Sequence, residues 1–228
     1  MTFKELQQTI GVPFKSQELL KNAFYHRSYL NEAKHIQHSN ERLEFLGDAI
    51  LSFCTSRFLY ETYPDYPEGT LTNIRSSLVK TKTLGETAQT LGFGDLLFLS
   101  HGEEESGGRN NMSLLADSFE AFLGALFLDQ GIDAAKQFLS TYLFQKTATI
   151  VEAKSYIDYK SLLQEIIQGE TKISPTYTVS NSEGPDHNRI FYIDAHIGTR
   201  KLGEGKGKSK QEGEQAAALD ALEKMGEI

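Results

Sequence analysis

The segment that most constrains the fold of this chain runs from Asn40 to Phe53, with the sequence NERLEFLGDAILSF. Its acids Glu41, Glu44 and Asp48 are spaced i, i+3 and i+7, so a helix projects all three carboxylates from one face. A solvated acidic surface is the simplest interpretation, but no Lys follows at i+4 to relieve the repulsion. The pattern therefore favours a bound cation on this face. The opposite face carries an apolar stripe that we expect the helix to bury, formed by Leu43, Leu46, Ile50 and Phe53.

A second apolar segment, Leu114 to Gly131, repeats the pattern with Asp117 and Glu120 at i and i+3. Gly124 shares the acid-bearing side and leaves room for another group to approach. Two such helices in contact can bring their acids together. An all-oxygen cluster suits Mg²⁺ or Mn²⁺ rather than zinc, because no His or Cys accompanies it, and such ions commonly hydrolyse phosphodiesters. The residues expected on the buried side are Phe119, Phe122, Leu123 and Leu126.

These two segments resemble the motifs of a known family. NERLEFLGDAIL is similar to the signature of the ribonuclease III family, and LLADSFEAFLGALFLD resembles its second acidic motif. The resemblance covers nearly the whole chain and implies an endonuclease that cuts double-stranded RNA. It implies an all-α nuclease domain over residues 1–152. A small α+β double-stranded RNA-binding domain over residues 157–226, in the order α-β-β-β-α, would follow.

Hydrophobic periodicity agrees with this division, because strand patterns begin only after about Ala153. The segment Gly102–Asn111 is expected to be a loop. Strands are expected at Thr176–Ser180, Arg189–Ile197 and Lys201–Gly205, between helices at Tyr156–Gln168 and Ser209–Lys224. Helices of the first domain are expected at Phe3–Thr9, Gln17–Tyr25, Glu41–Tyr63, Leu71–Gly92, Ser113–Asp129 and Asp133–Val151.

The resemblance also assigns roles to the acids. Glu44, Asp117 and Glu120 would be metal ligands, and Asp48 and Glu120 would be catalytic. The cofactor would be Mg²⁺, with Mn²⁺ as a substitute, and no small-molecule cofactor is expected. The reaction would be in-line hydrolysis by water that leaves 5′-phosphate and 3′-hydroxyl ends. Glu41 and Glu68 would be accessory acids, although Glu68 also suits a helix N-terminus without any such role.

Phe45 lies beside the acidic face and away from the predicted apolar stripe. It is either a partly exposed aromatic residue or, as the family resemblance implies, a dimer contact that enters a pocket on a second copy. A two-fold homodimer would place two acidic clusters on opposite strands of one duplex. The products would then carry two-nucleotide 3′ overhangs.

The resemblance places further RNA contacts at Asn73 and Arg75 in the nuclease domain, where a polar helix face is the alternative. His26 and Arg27 also match a family motif, and a structural hydrogen-bonding role is expected for them. In the second domain, minor-groove contacts are expected from the first helix and from the connector after the first strand, where His187 could equally be an exposed loop residue. These contacts are Gln164, Gln168, Pro185 and His187.

The basic segment Gly203–Gln211 is expected to bind the phosphate backbone through Lys206, Lys208 and Lys210, which precede or begin the last helix. The chain departs from the family pattern at Gln211, where a basic residue is usual, and at Gly213, where Ala is common. Glycine lowers helix stability by roughly 1 kcal/mol. Both differences predict weaker RNA retention.

The composition bounds the remaining possibilities. The 228 residues carry a net charge of −8, and residues from Asp158 onward hold 9 Lys and Arg against 12 Asp and Glu, a net charge of −3. RNA contacts must therefore come from local basic clusters. One Cys excludes an internal disulfide framework. Without a signal-peptide pattern or a long apolar run, the expectation is a cytoplasmic protein with no membrane contact.

Two other functions use similar patterns. A non-cleaving RNA-binding protein could keep the fold, but it would have no use for four mutually repelling acids. A helical di-metal oxidase also carries acids on bundle helices, but it requires Glu-x-x-His pairs, which neither acidic helix contains. The preferred hypothesis is a double-strand-specific endoribonuclease that processes ribosomal RNA precursors and other structured transcripts.

Overall fold

The computed structural model describes residues 1–185 and 188–228, which form two compact units, Met1–Tyr156 and Ile157–Ile228. His187 lies outside the described residues. The first unit is helical, and two short 3₁₀ helices, Arg27–Asn31 and Gly108–Asn110, supplement its α-helices. These are α1 Phe3–Ile10, α2 Gln17–Asn22, α3 Glu41–Thr62, α4 Glu68–Val79, α5 Thr81–Thr90, α6 Phe93–Leu96, α7 His101–Glu105, α8 Met112–Gln130, α9 Ile132–Tyr142 and α10 Lys146–Glu152.

The second unit has the order α-β-β-β-α, and its three antiparallel strands lie in the order β1-β2-β3. The predicted fold class of both units is therefore confirmed. No described helix combines the length and apolar character that crossing a membrane requires. The elements of the second unit are α11 Tyr159–Thr171, β1 Thr176–Glu183, β2 Ile190–Ile197, β3 Arg200–Gly207 and α12 Lys210–Met225.

Helix α8 is the centre of the first unit and crosses α3 at two glycines. A Cβ built on Gly47 would overlap the backbone carbonyl of Glu120, and one on Gly124 would overlap that of Leu43. Only glycine at both positions lets the two backbones approach this closely. The group that approaches Gly124 is therefore helix α3 itself. The predicted apolar side of α8 is fully buried at Phe119, Phe122, Leu123 and Leu126.

The predicted apolar stripe of α3 is wrong at one end. Leu43 is buried, but Leu46 and Ile50 are only partly buried, and Phe53 is 55% exposed. The buried stripe follows Gly47, because the glycine contact brings that side of the helix against α8. It continues through Leu51 and ends further along α3 at Cys54, Thr55 and Leu59.

Two long predicted helices are each divided in the structure. The segment Leu71–Gly92 breaks at Lys80, whose backbone is extended, and the Thr83 hydroxyl donates to the Ser77 carbonyl across the break at 3.0 Å. The segment Asp133–Val151 divides into α9 and α10. Hydrophobic periodicity alone does not reveal such breaks, since the apolar pattern runs on through them.

The predicted loop Gly102–Asn111 instead contains α7 and a 3₁₀ turn. Ser100 caps α7 by accepting from the Glu103 N–H at 3.3 Å. The Arg109 guanidinium donates to the carbonyls of Gly94 and Leu97 at 2.9 and 3.0 Å, and it pairs with Glu104 at 2.6 Å. Because one side chain satisfies several carbonyls, the segment is held against the unit.

In the second unit, alternate residues of β3 are glycines that face α12. Cβ atoms built on Gly203, Gly205 and Gly207 would all collide with the backbone of α12. Gly213 serves the same contact from the helix side, since a Cβ there would lie 2.6 Å from Ile193 Cγ1. The glycine at this position therefore permits close packing of α12 on β2, which helix propensity alone did not reveal.

The glycine crossing predicts an asymmetric response to alanine. Gly47→Ala forces α3 away from α8, so we expect a loss of about 1–3 kcal/mol in the free energy of unfolding. Gly69→Ala, in the first turn of α4 with no atom within 4 Å of a built Cβ, should leave stability unchanged or raise it by up to about 1 kcal/mol. Thermal unfolding followed by circular dichroism measures both. Equal melting temperatures for the two variants would contradict the packing argument.

Candidate active site

The helix crossing determines where the acids lie. Glu44 and Asp48 flank Gly47 on α3, and Glu120 on α8 contributes the carbonyl that Gly47 contacts. Asp117 lies three residues before Glu120, so it projects from the same side of α8. The contact of the two helices thus brings acids from both into one cluster, which we call the acid cluster: Glu44, Asp48, Asp117 and Glu120.

The members of the acid cluster act on one another electrostatically. Burial raises the pKa of Glu120 to about 8, and the negative charges of Asp48, Glu44 and Asp117 act in the same direction. Burial likewise raises the pKa of Glu44, followed by the charges of Asp117, Glu41 and Asp48. The pKa of Asp117 is raised by burial, whereas His26 and Arg27 oppose that shift.

The donor set of the acid cluster fits a hard divalent cation, because all of its ligating atoms are carboxylate oxygens and the leading charges on Glu120 are all negative. The side chains themselves are not all turned toward one point. In residues 1–185 and 188–228, no three acidic, His or Cys side chains converge as a metal site. The cluster thus supplies suitable donors without a closed coordination shell.

A cavity of about 220 Å³ adjoins the acid cluster and includes two residues for which the sequence predicted only a structural role. His26 and Arg27 line this cavity together with Glu41, Glu44 and Asp117. Burial lowers the pKa of His26. The family motif FYHRSY is the signal that could have placed both residues at the site.

The two accessory acids differ in position. Glu41 lines the cavity, and its Oε1 lies 3.9 Å from Arg27 Nη1. Glu68 begins α4 and accepts a hydrogen bond from the Thr72 hydroxyl at 3.1 Å. It is not among the leading charges that act on Glu44, Asp117 or Glu120. Within this chain, the structure does not bring Glu68 into the acid cluster.

The predicted RNA contacts of the nuclease unit lie on α4. Asn73 is exposed, whereas Arg75 is partly buried and donates from Nη1 to the Ser56 hydroxyl at 2.8 Å. Arg75 thus links α4 to α3, and its contact with RNA stays a prediction.

Phe45 is 81% exposed, so the sequence expectation that it lies outside the core agrees with its position. It belongs to an exposed aromatic stripe along α3 that continues through Phe53, at 55% exposure, and Tyr60, at 74%. Beside it lies a cavity of about 650 Å³ lined in part by Leu19, Leu46 and Leu128.

The predicted contacts of the second unit divide between its elements. Gln164 is exposed on α11, and Gln168 donates to the Ser174 hydroxyl at 2.6 Å. Pro185 is exposed in the connector between β1 and β2. Lys206 and Lys208 precede α12, and Lys210 is its first residue. Lys206 lies in β3 and lines a cavity with Tyr192 and Asp194, while Lys208 and Lys210 are exposed at the start of α12.

The raised pKa of Glu120 predicts a pH-dependent cost to stability in metal-free buffer. The pKa of Glu120 is about 8 in the folded protein, and its ordinary value is 4.5. The free energy of unfolding is therefore highest below the ordinary pKa and falls as the pH rises from there through the folded pKa. Glu120→Gln should therefore raise stability at pH ~8 by roughly 1–2 kcal/mol, after discounting for partial exposure. The gain should vanish near pH ~4. Melting curves in EDTA measure it, and an equal gain at both pH values would contradict the electrostatic origin.

Comparison with known proteins gives matches over both units. The family model Ribonuclease-III-like matches residues 16–147, and the double-stranded RNA binding motif matches residues 159–225. Ribonuclease 3 from Bacillus velezensis is 48% identical over 98% of this chain and 90% of its own length. Ribonuclease 3 from Roseiflexus sp. is 45% identical over 96% of this chain and 95% of its own length.

A solved structure supports the same assignment. The nuclease domain of ribonuclease III from Campylobacter jejuni, described for structural flexibility in the region involved in dimer formation, matches with a TM-score of 0.59 and 33% identity. The match covers 63% of this chain and 97% of that domain. The helical unit with its acid cluster, the second unit and the full-length relatives agree. The chain belongs to the ribonuclease III family and is a ribonuclease III with a double-stranded RNA binding motif.

Proposed function

We propose that this ribonuclease III hydrolyses phosphodiesters of double-stranded RNA with the help of Mg²⁺, for which Mn²⁺ can substitute. The observation that carries the metal dependence is the acid cluster, where burial and then mutual repulsion raise the pKa of Glu120 to about 8. A divalent cation relieves that repulsion and favours the ionised carboxylates. Natural proteins keep such a cost where function requires it.

In this proposal, Glu44, Asp117 and Glu120 hold the cation, and Asp48 acts with Glu120 on the reacting groups. When bound, the cation supplies Lewis-acid stabilisation of the phosphate and activation of water. Burial of Glu120 on α8 excludes competing water from one side of the site. The close backbone contact at Gly47 and Gly124 fixes the separation of the two helices that carry the carboxylates. The products are 5′-phosphate and 3′-hydroxyl ends.

We propose a homodimer formed through the aromatic stripe of α3. Exposure of 81% of Phe45 to water is unfavourable, and the exposed stripe also includes Phe53 and Tyr60. Such an apolar surface is typical of an interface between proteins. The adjacent cavity lined by Leu19, Leu46 and Leu128 suits an inserted aromatic ring. Two copies related by a two-fold axis would cut opposite strands and leave two-nucleotide 3′ overhangs.

The second unit retains the duplex in this proposal. The exposed Gln164 and the partly buried Gln168 on α11 would contact the minor groove, and Lys208 and Lys210 suit phosphates across the major groove. Lys206, exposed on β3, would add a further phosphate contact. Asn73 on α4 would add a contact near the cut. Ribosomal RNA precursors and other structured transcripts in the cytoplasm are the proposed substrates.

The first test of this function is cleavage of an end-labelled RNA duplex in Mg²⁺. The expected result is shortening of the duplex, abolished by EDTA and reduced at least about 100-fold in Glu120→Gln, which should still bind RNA in a gel-shift assay. Matched DNA duplex and single-stranded RNA are the substrate controls. Tight binding with no cutting in either Mg²⁺ or Mn²⁺ would overturn the proposal.

The dimer is tested by sedimentation at micromolar concentration. Phe45→Ala should weaken association at least about tenfold, since an aromatic side chain in a pocket is a typical interface anchor. Ile173→Ala, which truncates a 54% exposed side chain in the second unit, is the matched control and should sediment as the unchanged protein does. A monomeric unchanged protein, or one whose dimer survives Phe45→Ala, would exclude this interface.

A further inference from the structure

The cavity beside the acid cluster is lined by two chemically different groups of residues. Glu41, Glu44 and Asp117 supply carboxylates, while His26 and Arg27 supply nitrogen donors. We call His26 and Arg27 the donor pair. A phosphodiester that approached the acids alone would be repelled by them. The donor pair offers the opposite interaction within the same cavity.

The ring of His26 is held in one orientation. The Ser28 N–H donates to Nδ1 at 3.3 Å, and the Ser28 hydroxyl lies 2.8 Å from the same nitrogen. That hydroxyl also accepts from the Ser100 N–H at 3.0 Å, which fixes it in turn. Since Nδ1 accepts a backbone hydrogen bond, the proton of the neutral ring is on Nε2. Nε2–H has no hydrogen-bond partner among the described residues.

Arg27 remains available to a ligand. Its side chain is 75% exposed, and its one ion pair within the described chain is the long 3.9 Å contact with Glu41. A guanidinium with five N–H donors in a planar fork matches the oxygens of a phosphate. The long contact with Glu41 leaves most of these donors free.

The donor pair is joined to the acid-bearing helix through Asn40, which is 96% buried. The Asn40 N–H donates to the Tyr25 carbonyl at 2.8 Å, and its side-chain amide donates to the Ala23 carbonyl at 3.2 Å. These bonds connect the start of α3 to the segment that ends in His26 and Arg27. The backbone that carries the donor pair is therefore tied to the helix that carries Glu41 and Glu44, which favours pre-organised binding.

We propose that His26 Nε2–H and the Arg27 guanidinium bind non-bridging oxygens of the RNA strand that is cut and hold its phosphodiester against the acid cluster. This inference rests on the proposed function and adds substrate-positioning residues to it. The ring donor of His26, fixed before the substrate arrives, stabilises charge on the phosphate at little reorganisation cost. The donor pair also offsets the repulsion between that phosphate and the four acids.

Two substitutions at His26 separate the donor from the structural role. In His26→Asn, the side-chain oxygen can still accept from the Ser28 N–H, but the Nε2–H donor is lost. In His26→Gln, the longer amide can place an N–H near the position of Nε2, whereas the acceptor for Ser28 is lost. We expect single-turnover cleavage at saturating enzyme to fall about 10-fold or more in His26→Asn and by less than about 3-fold in His26→Gln. Duplex affinity measured in EDTA should change little in either variant.

A cleavage rate in His26→Asn that is not clearly below that of His26→Gln overturns the role of the Nε2–H donor. This includes equal loss in both variants, which would indicate a purely structural ring.

Arg27 is tested together with its ion-pair partner. If Arg27 binds the phosphate, the loss of single-turnover rate in Arg27→Ala should persist in the Glu41→Gln background, and Arg27→Lys should recover part of it. If Arg27→Ala costs nothing further once Glu41 is Gln, Arg27 acts only through Glu41 and its proposed contact is wrong. Lys4→Ala, which removes one exposed cation on α1, is the charge control and should cleave at the unchanged rate.

These outcomes are distinct from failure of the proposed function. If the unchanged protein does not cut RNA duplex in Mg²⁺ or Mn²⁺, the nuclease mechanism fails. If it cuts and the donor-pair variants cut equally well, only the present inference fails.

Discussion

The close contact of α3 with α8 at Gly47 and Gly124 is the constraint on which the nuclease unit depends. A side chain larger than hydrogen at either glycine would meet the backbone of the facing helix. The same contact that completes the core also brings acids of the two helices together. Core packing and site geometry are therefore set by one interaction, so a substitution that separates the helices would damage both.

The acid cluster costs stability, and the surrounding structure makes that cost tolerable. Burial and three neighbouring carboxylates raise the pKa of Glu120 to about 8, so full ionisation is unfavourable near neutral pH. The apolar packing of α8, with Phe119 and Phe122 fully buried, supplies the opposing stabilisation. The helix that carries two of the acids is thus also the most deeply buried helix of the unit.

The second unit also uses glycines for close packing, in this case of a helix on a sheet. Alternating glycines in β3 let α12 lie directly on the sheet, and Ala217 and Ala221 complete the contact from the helix side. Because the glycines occupy one face of the strand, the intervening Glu204 and Lys206 occupy the other. The alternation that reads as a basic tract in the sequence is therefore also a packing pattern.

The sequence by itself determined the fold class, the family and the acids of Asn40–Phe53 and Leu114–Gly131, because helical spacing and long motifs are local properties of the chain. Only the tertiary structure decided that Gly47 turns α3 toward α8 and leaves Phe53 exposed, that the helix over Leu71–Gly92 breaks at Lys80, and that Gly213 contacts Ile193. The tertiary structure alone placed His26 and Arg27 in the cavity that Glu44 and Asp117 also line. These features depend on which surfaces of the folded chain contact each other. Contacts between residues far apart in the sequence do not produce a periodic pattern in it.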